Sequence, residues 1–406
     1  MTVHLLALDS ASAVCGISAL RFENGQTTIT SAQHSGSTQH AERILPLVEQ
    51  VLAEQNLSHQ EINAIAFAQG PGGFTGLRVA CGVAQGIAYA LGVKIAAVPS
   101  LLAIAAQQDP LDAEAVVELV VVDARMQELY LGAYQRTQTG WYSLHKPVLI
   151  GREQLHQYIE QLKAQQQSLG INATIRISGD ALTAFEGLAE ALTKHGLLFG
   201  NTELARSDTI ARLGLLAYQQ DRLIDPALAA PLYVRNRVAF TISEREQGLG
   251  GNPSANWQSI QLRTMQASDV EAVAAIENRL QQQPWTQKQF EDSLAAGHWA
   301  WVATFDNQVV AYAVVMPVAG ESELLLIGVL PEHQRQGIAQ QLLCYAEQAA
   351  RAQGCSKMHL EVRASNTAAI ELYQGAGYDV VGLRKNYYRT TEQQSEDAVL
   401  YTKVLA

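Results

Sequence analysis

Cysteine and positive charge are both scarce in this sequence, and each shortage argues against a class of protein. The 406 residues include four cysteines, Cys15, Cys81, Cys344 and Cys355, whose spacing matches neither a metal-binding nor a redox motif. Reduced structural thiols are therefore expected, as in most cytoplasmic proteins. Acidic residues outnumber basic ones by 39 to 28, so the net charge is −11. This balance argues against a general nucleic-acid or membrane-surface binder, so any RNA contact has to come from a local patch or a partner.

The sequence also lacks the usual features of exported and membrane proteins. No basic stretch precedes the apolar run at the N-terminus, and Asp9 interrupts that run, so a signal peptide is not expected. The longest nearly uncharged segment, residues 79–98, contains glycines and Lys94. It predicts a buried helix followed by a strand rather than a membrane span. We therefore expect a cytoplasmic protein.

The length and composition indicate two globular domains. A chain of 406 residues, 48% hydrophobic and without low-complexity tracts, is too long for one typical core. Residues 241–258 lose hydrophobic periodicity and gather glycine, proline, serine and asparagine, which predicts an interdomain linker. The expected domains are residues 1–240 and 259–406.

The most informative stretch lies between residues 324 and 350. Leu324 to Leu330 is an apolar run of strand length, Pro331 ends it, and helical spacing of apolar residues begins at Ala339. A strand that turns through Gly337 into a helix leaves free backbone N–H groups, which attract a phosphate or pyrophosphate. The same pattern also fits an ordinary connection between a strand and a helix.

The surrounding motifs resemble one enzyme family. Residues 334–339, Gln-x-x-Gly-x-Ala, are similar to the pyrophosphate loop of the GCN5-related N-acetyltransferases (GNAT). Residues 360–366, 369–373, 377–378 and 384–388 extend the resemblance to the RimI-type N-terminal alanine acetyltransferases, from about Ser259 to the C-terminus. This resemblance implies a GNAT fold, acetyl-CoA as co-substrate and the N-terminus of a ribosomal protein as acceptor.

The GNAT resemblance also implies roles for single residues. Glu361 matches the general base, and Tyr373 matches the acid that protonates the leaving thiolate; the alternatives are a glutamate at a strand end and a packing aromatic. Asn366 would hydrogen-bond the coenzyme, or cap a helix. A bulge in the central strand would free N–H groups at Ile327, Gly328 and Val329 to stabilise the oxyanion. The pyrophosphate would be held by Arg335, Gln336, Gly337, Ile338, Ala339 and Gln340.

The acceptor site is less well defined by the sequence. Glu321 and Glu323 could favour a basic peptide, or they could be solvated charges. Tyr387 and Tyr388 match a tyrosine pair of the family, but Arg389 stands where proline is expected. The resemblance therefore leaves open a GNAT enzyme that acetylates a lysine side chain or a polyamine, and a non-catalytic assembly subunit.

The N-terminal half begins with a strand, a polar turn at residues 9–12 and a second strand. A leading aspartate in such a turn resembles the first phosphate loop of actin and sugar-kinase-like ATPases, although aspartate and serine are also common turn formers. A glycine-rich segment, residues 70–76, precedes a helix at Leu77 to Leu91. Its glycines fit a ligand or close helix packing, and the small residues of the helix favour packing. Residues 182–195 predict one helix.

Five motifs together resemble the TsaB family, namely residues 6–10, 43–46, 70–78, 122–126 and 231–236. The resemblance implies a two-lobed actin-like ATPase (ASKHA) fold and a partner role in tRNA threonylcarbamoyladenosine synthesis. The expected partners are a TsaD-like catalytic subunit and a TsaE-like ATPase, and the Leu77–Leu91 helix would bind either TsaD or a second copy in a homodimer.

The catalytic relatives carry two metal-binding histidines where this sequence has only Ser, Leu, Ala and Ile, at residues 100–104. No metal is therefore expected in the N-terminal half. His34, His40 and His59 lie in polar segments and are predicted to be at the surface.

Overall fold

The computed structural model describes residues 2–36, 39–111, 115–137, 140–235, 246, 260–389 and 395–405. The chain forms two compact units. The first comprises Met1–Arg136, Pro147–Leu155 and Thr174–Trp257; the second comprises Thr137–Lys146, His156–Ala173 and Gln258–Ala406. The predicted linker, residues 241–258, lies outside the described residues apart from Glu246. The domain bounds at 240 and 259 therefore remain predictions.

The N-terminal half contains two five-stranded sheets with the same topology. The first has the order β3-β2-β1-β4-β5, and the second has the order β8-β7-β6-β9-β10. In each, the first strand pairs antiparallel with the second and parallel with the fourth. The strands are β1 Val3–Asp9, β2 Val14–Glu23, β3 Gln26–Ser35, β4 Ala64–Gly70, β5 Lys94–Pro99, β6 Val116–Asp123, β7 Glu128–Thr137, β8 Gly140–Gly151, β9 Thr174–Ser178 and β10 Leu198–Phe199. This duplication is the architecture of the two-lobed actin-like fold, as predicted.

Helices cover the first sheet on both faces. The helices of the N-terminal half are α1 His40–Glu54, α2 Phe74–Leu91, α3 Ser100–Ala106, α4 Leu155–Ser168, α5 Ala181–Ala184, α6 Leu188–Leu192 and α7 Ser207–Gln219; α1, α2 and α7 are the main helices on the first sheet. Side chains of α1 and α2 form a core with Leu6, Leu8 and Phe67. On the other face, α7 approaches so closely that a Cβ on Gly214 would lie 2.7 Å from Ala66. Alternate strand residues thus fill two separate layers.

Three sequence predictions, two of them on the N-terminal half, are tested by the fold. All four cysteines are free and buried, as expected. The single helix predicted at residues 182–195 is wrong: α5 and α6 are separate, because Gly187 adopts a left-handed φ of 72° between them. His40 is buried rather than exposed, because it lies next to Gly76 at the start of α2.

Helix α2 is followed by strand β5, as the apolar segment predicted. By length and composition it is the one helix among the described residues that could cross a membrane, yet a third of it is buried inside the protein. The buried residues, Gly76, Leu77, Ala80, Cys81, Ala84 and Ala88, form one face that packs on the sheet. The opposite face is exposed, so α2 is not buried on all sides.

The glycine-rich segment before α2 packs directly against the turn after β1. Asp9 in this turn accepts a hydrogen bond from the N–H of Ala11 at 2.9 Å, and Ser10 donates to the carbonyl of Gly76 at 2.8 Å. Burial raises the pKa of Asp9 to about 7. A Cβ on Gly76 would lie only 1.7 Å from the carbonyl oxygen of Ser10. The glycines therefore serve close packing, as the sequence favoured.

We expect Gly76→Ala to lower the free energy of unfolding of the first unit by about 3 kcal/mol, because the new methyl group overlaps backbone that cannot move away. Gly82→Ala in the same helix is the matched control. No atom lies within 4 Å of its added Cβ, and alanine should raise stability by up to about 1 kcal/mol. Hydrogen exchange of the α2 and β4 amides in the full chain measures both values. Equal protection in the two variants would contradict the close packing.

The second unit is built on a seven-stranded sheet with the order β11-β12-β13-β14-β15-β17-β16. The strands are β11 Gln261–Thr264, β12 Trp299–Phe305, β13 Gln308–Val318, β14 Glu321–Val329, β15 Lys357–Arg363, β16 Asp379–Arg389 and β17 Ser395–Val404. Strands β12 and β13 form a hairpin. Neighbouring strands pair antiparallel except β14 and β15, which run parallel.

Two helical layers cover the two faces of this sheet. The helices are α8 Val270–Leu280, α9 Gln287–Ala295, α10 Ile338–Ala352 and α11 Thr367–Gly375. Val302 faces the layer of α8 and α9, whereas its neighbour Trp301 faces α10, as the period of two in a strand requires. Asp269 precedes α8 but does not cap it with its side chain; its carboxylate accepts hydrogen bonds from Gln266 and Arg263.

Candidate active site

The central parallel strands separate in the middle of the sheet. β14 pairs with β15 only from Ser322 to Leu324, and an irregularity in its register with β13 leaves Leu325 without a partner. The predicted bulge at Ile327, Gly328 and Val329 is thus misplaced: these residues pair regularly with β13, and the bulge lies upstream at Leu325. Beyond Leu324 the edge of β14 that faces β15 has no paired strand. Oxyanion stabilisation by residues 327–329 remains a prediction.

The loop after β14 leads into the start of α10. Gln334 donates its side-chain amide to the carbonyl of Val329 at 3.0 Å, and Arg335 and Gly337 adopt left-handed φ values of 61° and 81°. The first backbone bond of the helix runs from Gln341 to Gly337 at 3.0 Å. The N–H groups of residues 338–340 therefore have no acceptor within the helix.

This loop fits a phosphate or pyrophosphate group. Three N–H groups and the positive end of the helix dipole face the same place, and no atom lies within 4 Å of a Cβ added at Gly337. Arg335 is exposed and only 3.6 Å from Glu371, so this positive charge is available at the surface but partly balanced. Residues 335–340 thus have the geometry that the sequence predicted, and their contact with the coenzyme remains a prediction.

Glu361 lies on β15 immediately beyond the last residue paired with β14. Its carboxylate is 2.8 Å from the guanidinium of Arg384 on β16, and its side chain is 16% exposed. The motif at residues 384–388 contained Arg384 without suggesting any role for it. Because the guanidinium is a fixed donor, it orients the carboxylate of the candidate base.

Tyr373 on α11 is buried, with its ring 5.8 Å from Tyr378 and 6.3 Å from Tyr401. Burial raises the pKa of Tyr373, and the charge of Tyr388 raises it further. Burial also raises the pKa of Tyr388, and the next contribution is the charge of Glu361. Tyr388 therefore interacts electrostatically with both catalytic candidates. A tyrosine is protonated at neutral pH even without such a shift, so Tyr373 carries a proton that it can donate. The raised pKa favours the protonated form further.

The tyrosine pair on β16 forms a wall beside these residues. The rings of Tyr387 and Tyr388 meet edge to face at 5.1 Å. The guanidinium of Arg363 lies 4.3 Å from the centre of Tyr388, and that of Arg384 lies 5.2 Å from the centre of Tyr387. These contacts hold the pair in place.

Two other residues have contacts that favour the simpler interpretation. Asn366 accepts a hydrogen bond from the N–H of Ala369 at 3.1 Å, so it caps α11. Its contact with a coenzyme remains a prediction. Glu321 is 2.9 Å from His359 and 3.4 Å from Lys357, so its charge is already balanced within the sheet.

In the part of the chain that the structure describes, no cluster of three or more His, Cys, Asp or Glu side chains could hold a metal ion. In α3, where the catalytic relatives place their histidines, residues such as Leu101 and Ile104 are buried in the core.

Comparison with known proteins identifies both halves. The family described as TsaD, tRNA N6-adenosine threonylcarbamoyltransferase, matches residues 28–230, which is half of the chain. The acetyltransferase (GNAT) family matches residues 265–378. The [Ribosomal protein bS18]-alanine N-acetyltransferase of Escherichia coli K12 is 34% identical over 139 residues, 34% of this chain and 93% of that protein. The chain belongs to both families.

The two-part arrangement is also supported by other relatives. The tRNA threonylcarbamoyladenosine biosynthesis protein TsaB of Escherichia coli K12 is 27% identical over 241 residues, covering 59% of this chain and 97% of that protein. An uncharacterized protein of Mycobacterium leprae is 28% identical over 393 residues, 95% of each chain. The protein is thus a fusion of a TsaB-like half and a RimI-like GNAT acyltransferase half.

GNAT enzymes use acetyl-CoA. The solved yncA protein of Salmonella typhimurium, which contains acetyl-CoA, is 19% identical with a TM-score of 0.33, covering 36% of this chain and 94% of that chain.

Proposed function

We propose that the acetyltransferase half acetylates the N-terminal alanine of a ribosomal protein. The structural observation that supports this most strongly is the position of Glu361 on β15, immediately beyond the last residue paired with β14 and 2.8 Å from Arg384. The 34% identity with an alanine N-acetyltransferase covers this part of the chain.

In the proposed reaction, one residue of the chain removes a proton from the amine and another gives a proton to the leaving thiolate. Acetyl-CoA supplies the thioester carbonyl that the amine attacks. An α-amino group has an unperturbed pKa of about 7.7–8.0, so a carboxylate such as Glu361 can take its proton directly or through water. As the C–S bond breaks, the Tyr373 phenol gives its proton to the thiolate. The start of α10 holds the pyrophosphate, which fixes the thioester relative to both groups.

The acceptor is tested with matched substrates and the full chain. The first peptide starts with a free alanine followed by a basic sequence, and the second is identical but blocked at its N-terminus, so only lysine amines remain. A polyamine is the third substrate. Acetylation of the first peptide alone, located by mass spectrometry, supports the proposal. Preference for the blocked peptide or the polyamine supports the rival GNAT function, and no turnover of acetyl-CoA supports a non-catalytic assembly subunit.

We further propose that the TsaB-like half is the partner of a TsaD-like catalytic subunit in tRNA threonylcarbamoyladenosine synthesis, with a TsaE-like ATPase in the same system. The outer face of α2 is the proposed contact. Phe74 and Tyr89 on it are 57% and 85% exposed, and Gly82 and Gly86 lie between them. Glycines allow the backbone of a second helix to come close, and such an exposed apolar face is typical of protein contacts. A second copy of the chain would use the same face in a homodimer.

The free cysteines fit a cytoplasmic location for both activities.

We expect Gly86→Trp to abolish TsaD binding while the domain remains folded. Its added side chain points into open space, whereas Ala84 is fully buried in the core and is unsuitable for this test. The bulky ring should prevent close approach of a partner helix. Ala184→Trp, at an exposed helical position of the other lobe, is the control. Pull-down with TsaD and sedimentation of the chain alone separate the two partners. Unchanged affinity for TsaD and unchanged self-association would exclude this face.

A further inference from the structure

Helix α10 is buried on both sides, which is unusual for a helix that covers a sheet. Every residue from Leu342 to Ala350 is buried. Leu342, Leu343 and Ala346 belong to the core on the sheet. Glu347 and Gln348 are on the other side, where a helix of this kind normally meets water. Something else in the second unit therefore covers them.

The cover consists of two segments from earlier in the chain, residues 140–146 and 156–173, which we call the clasp. The hydroxyl of Tyr142 donates to a carboxylate oxygen of Glu347 at 2.5 Å, and the thiol of Cys344 donates to the carbonyl of Leu144 at 2.9 Å. Two further hydrogen bonds connect α4 with α10. The side-chain amide of Gln166 donates to Gln348 at 3.0 Å, and the hydroxyls of Ser168 and Tyr345 are 2.6 Å apart. Four residues of α10, all between positions 344 and 348, are thus held from behind within little more than one helical turn.

The centre of the clasp is a buried charge. The Glu347 side chain is only 2% exposed, and Lys403 on β17 lies 2.6 Å from it. Burial raises the pKa of Tyr142, with Cys344 and Glu347 adding to the effect. Burial and the charge of Glu347 also raise the pKa of Tyr378. Tyr142 and Lys403 both contact Oε2 of Glu347, whereas the buried Oε1 has no hydrogen-bond partner among the described residues. Removal of a partner from a buried charge is costly, so the Tyr142 hydroxyl stabilises this arrangement.

This cluster is connected to both parts of the candidate site. Glu347 lies on the helix whose first turn forms the phosphate site, and Tyr378, beside Glu347, packs against Tyr373 at 5.8 Å. Residues 140–146 and 156–173 fall within the TsaD match at residues 28–230 and outside the GNAT match at residues 265–378. The surroundings of the acetyltransferase site therefore include chain that the GNAT family does not supply.

We infer that the clasp positions α10 for coenzyme binding, so that acetyl-CoA affinity depends on residues of the TsaB-like sequence, with Tyr142 as a positioning residue. The inference rests on the proposed function only in that α10 begins at the acetyl-CoA site. Energetic coupling between two sites is reciprocal. If the clasp strengthens the binding of acetyl-CoA, acetyl-CoA must therefore also stabilise the clasp.

The first experiment uses Tyr142→Phe in the full chain, which keeps the ring and removes only the hydroxyl bonded to Glu347. The Kd for acetyl-CoA should rise about 3- to 30-fold, the range found for residues that couple to a site without touching the ligand. KM for the acceptor peptide should stay unchanged. Tyr130→Phe, on β7 in the other unit, is the control and should leave both values unchanged.

The second experiment needs no variant, so a folding defect cannot obscure it. Hydrogen exchange of the wild-type chain is compared with and without acetyl-CoA. Increased protection of the amides of residues 142–146 and of α4, together with the higher Kd of Tyr142→Phe, supports the inference. Normal acetyl-CoA binding without added protection in the clasp overturns it and leaves the proposed function intact. Absence of any acetyl-CoA binding by the wild-type chain overturns both.

Discussion

Glu361→Gln should lower kcat by about 10²- to 10⁴-fold, the usual loss when a general base is removed. The amide keeps the size of the side chain but cannot accept the proton of the attacking amine. Acetyl-CoA affinity should change little, because Glu361 lies on β15 and not in the loop before α10. Steady-state kinetics with an alanine-initiated peptide, and calorimetry with acetyl-CoA, measure the two effects separately.

Glu291→Gln, at an exposed position of α9, is the control for the loss of one carboxylate in Glu361→Gln.

Tyr373→Phe should reduce kcat at the leaving-group step, whereas Tyr401→Phe, in the same aromatic cluster, should not. Wild-type kcat in Glu361→Gln, where chemistry limits the rate, would remove Glu361 from the mechanism.

Gly337→Asp should weaken acetyl-CoA binding by at least about 100-fold. It places a negative charge where the pyrophosphate is expected, at a position with a φ of 81° that suits glycine. Repulsion between the carboxylate and the phosphates removes the contribution of the helix N-terminus. Calorimetry with acetyl-CoA, combined with circular dichroism, measures binding in a protein shown to be folded.

Gly354→Asp is a closely matched control at the other end of the same helix. Gly354 also has a φ of 81° and no atom within 4 Å of an added Cβ. Backbone strain and the new charge are therefore similar, but the pyrophosphate site is untouched. If both variants bound acetyl-CoA with equal affinity, the coenzyme would not bind at the start of α10.

Local features of the candidate site were predictable from the sequence. The turn through Gly337, the start of α10 and the strand carrying Glu361 all depend on neighbouring residues: a glycine that permits positive φ, a proline that ends a strand, and apolar periodicity. The same is true of the N-terminal half, where a short polar turn joins β1 and β2 and an apolar segment forms α2. The bulge was misplaced because it depends on how β13 and β14 align, which neither strand encodes alone.

The partners of these residues were decided only by tertiary structure. Arg384 on β16 contacts Glu361 on β15, although β17 lies between these two strands in the sheet. The strands do not follow one another in the sheet as they do in the sequence, so the sequence alone does not predict this contact. Tyr142 and Glu347 are 205 residues apart, and Glu347 lies on what periodicity identifies as the water-facing side of α10. A sequence pattern distinguishes apolar from polar faces but not which polar face another segment will cover. The motifs therefore determined the two families and suggested the candidate reacting side chains, whereas long-range packing determined which residues contact those candidates.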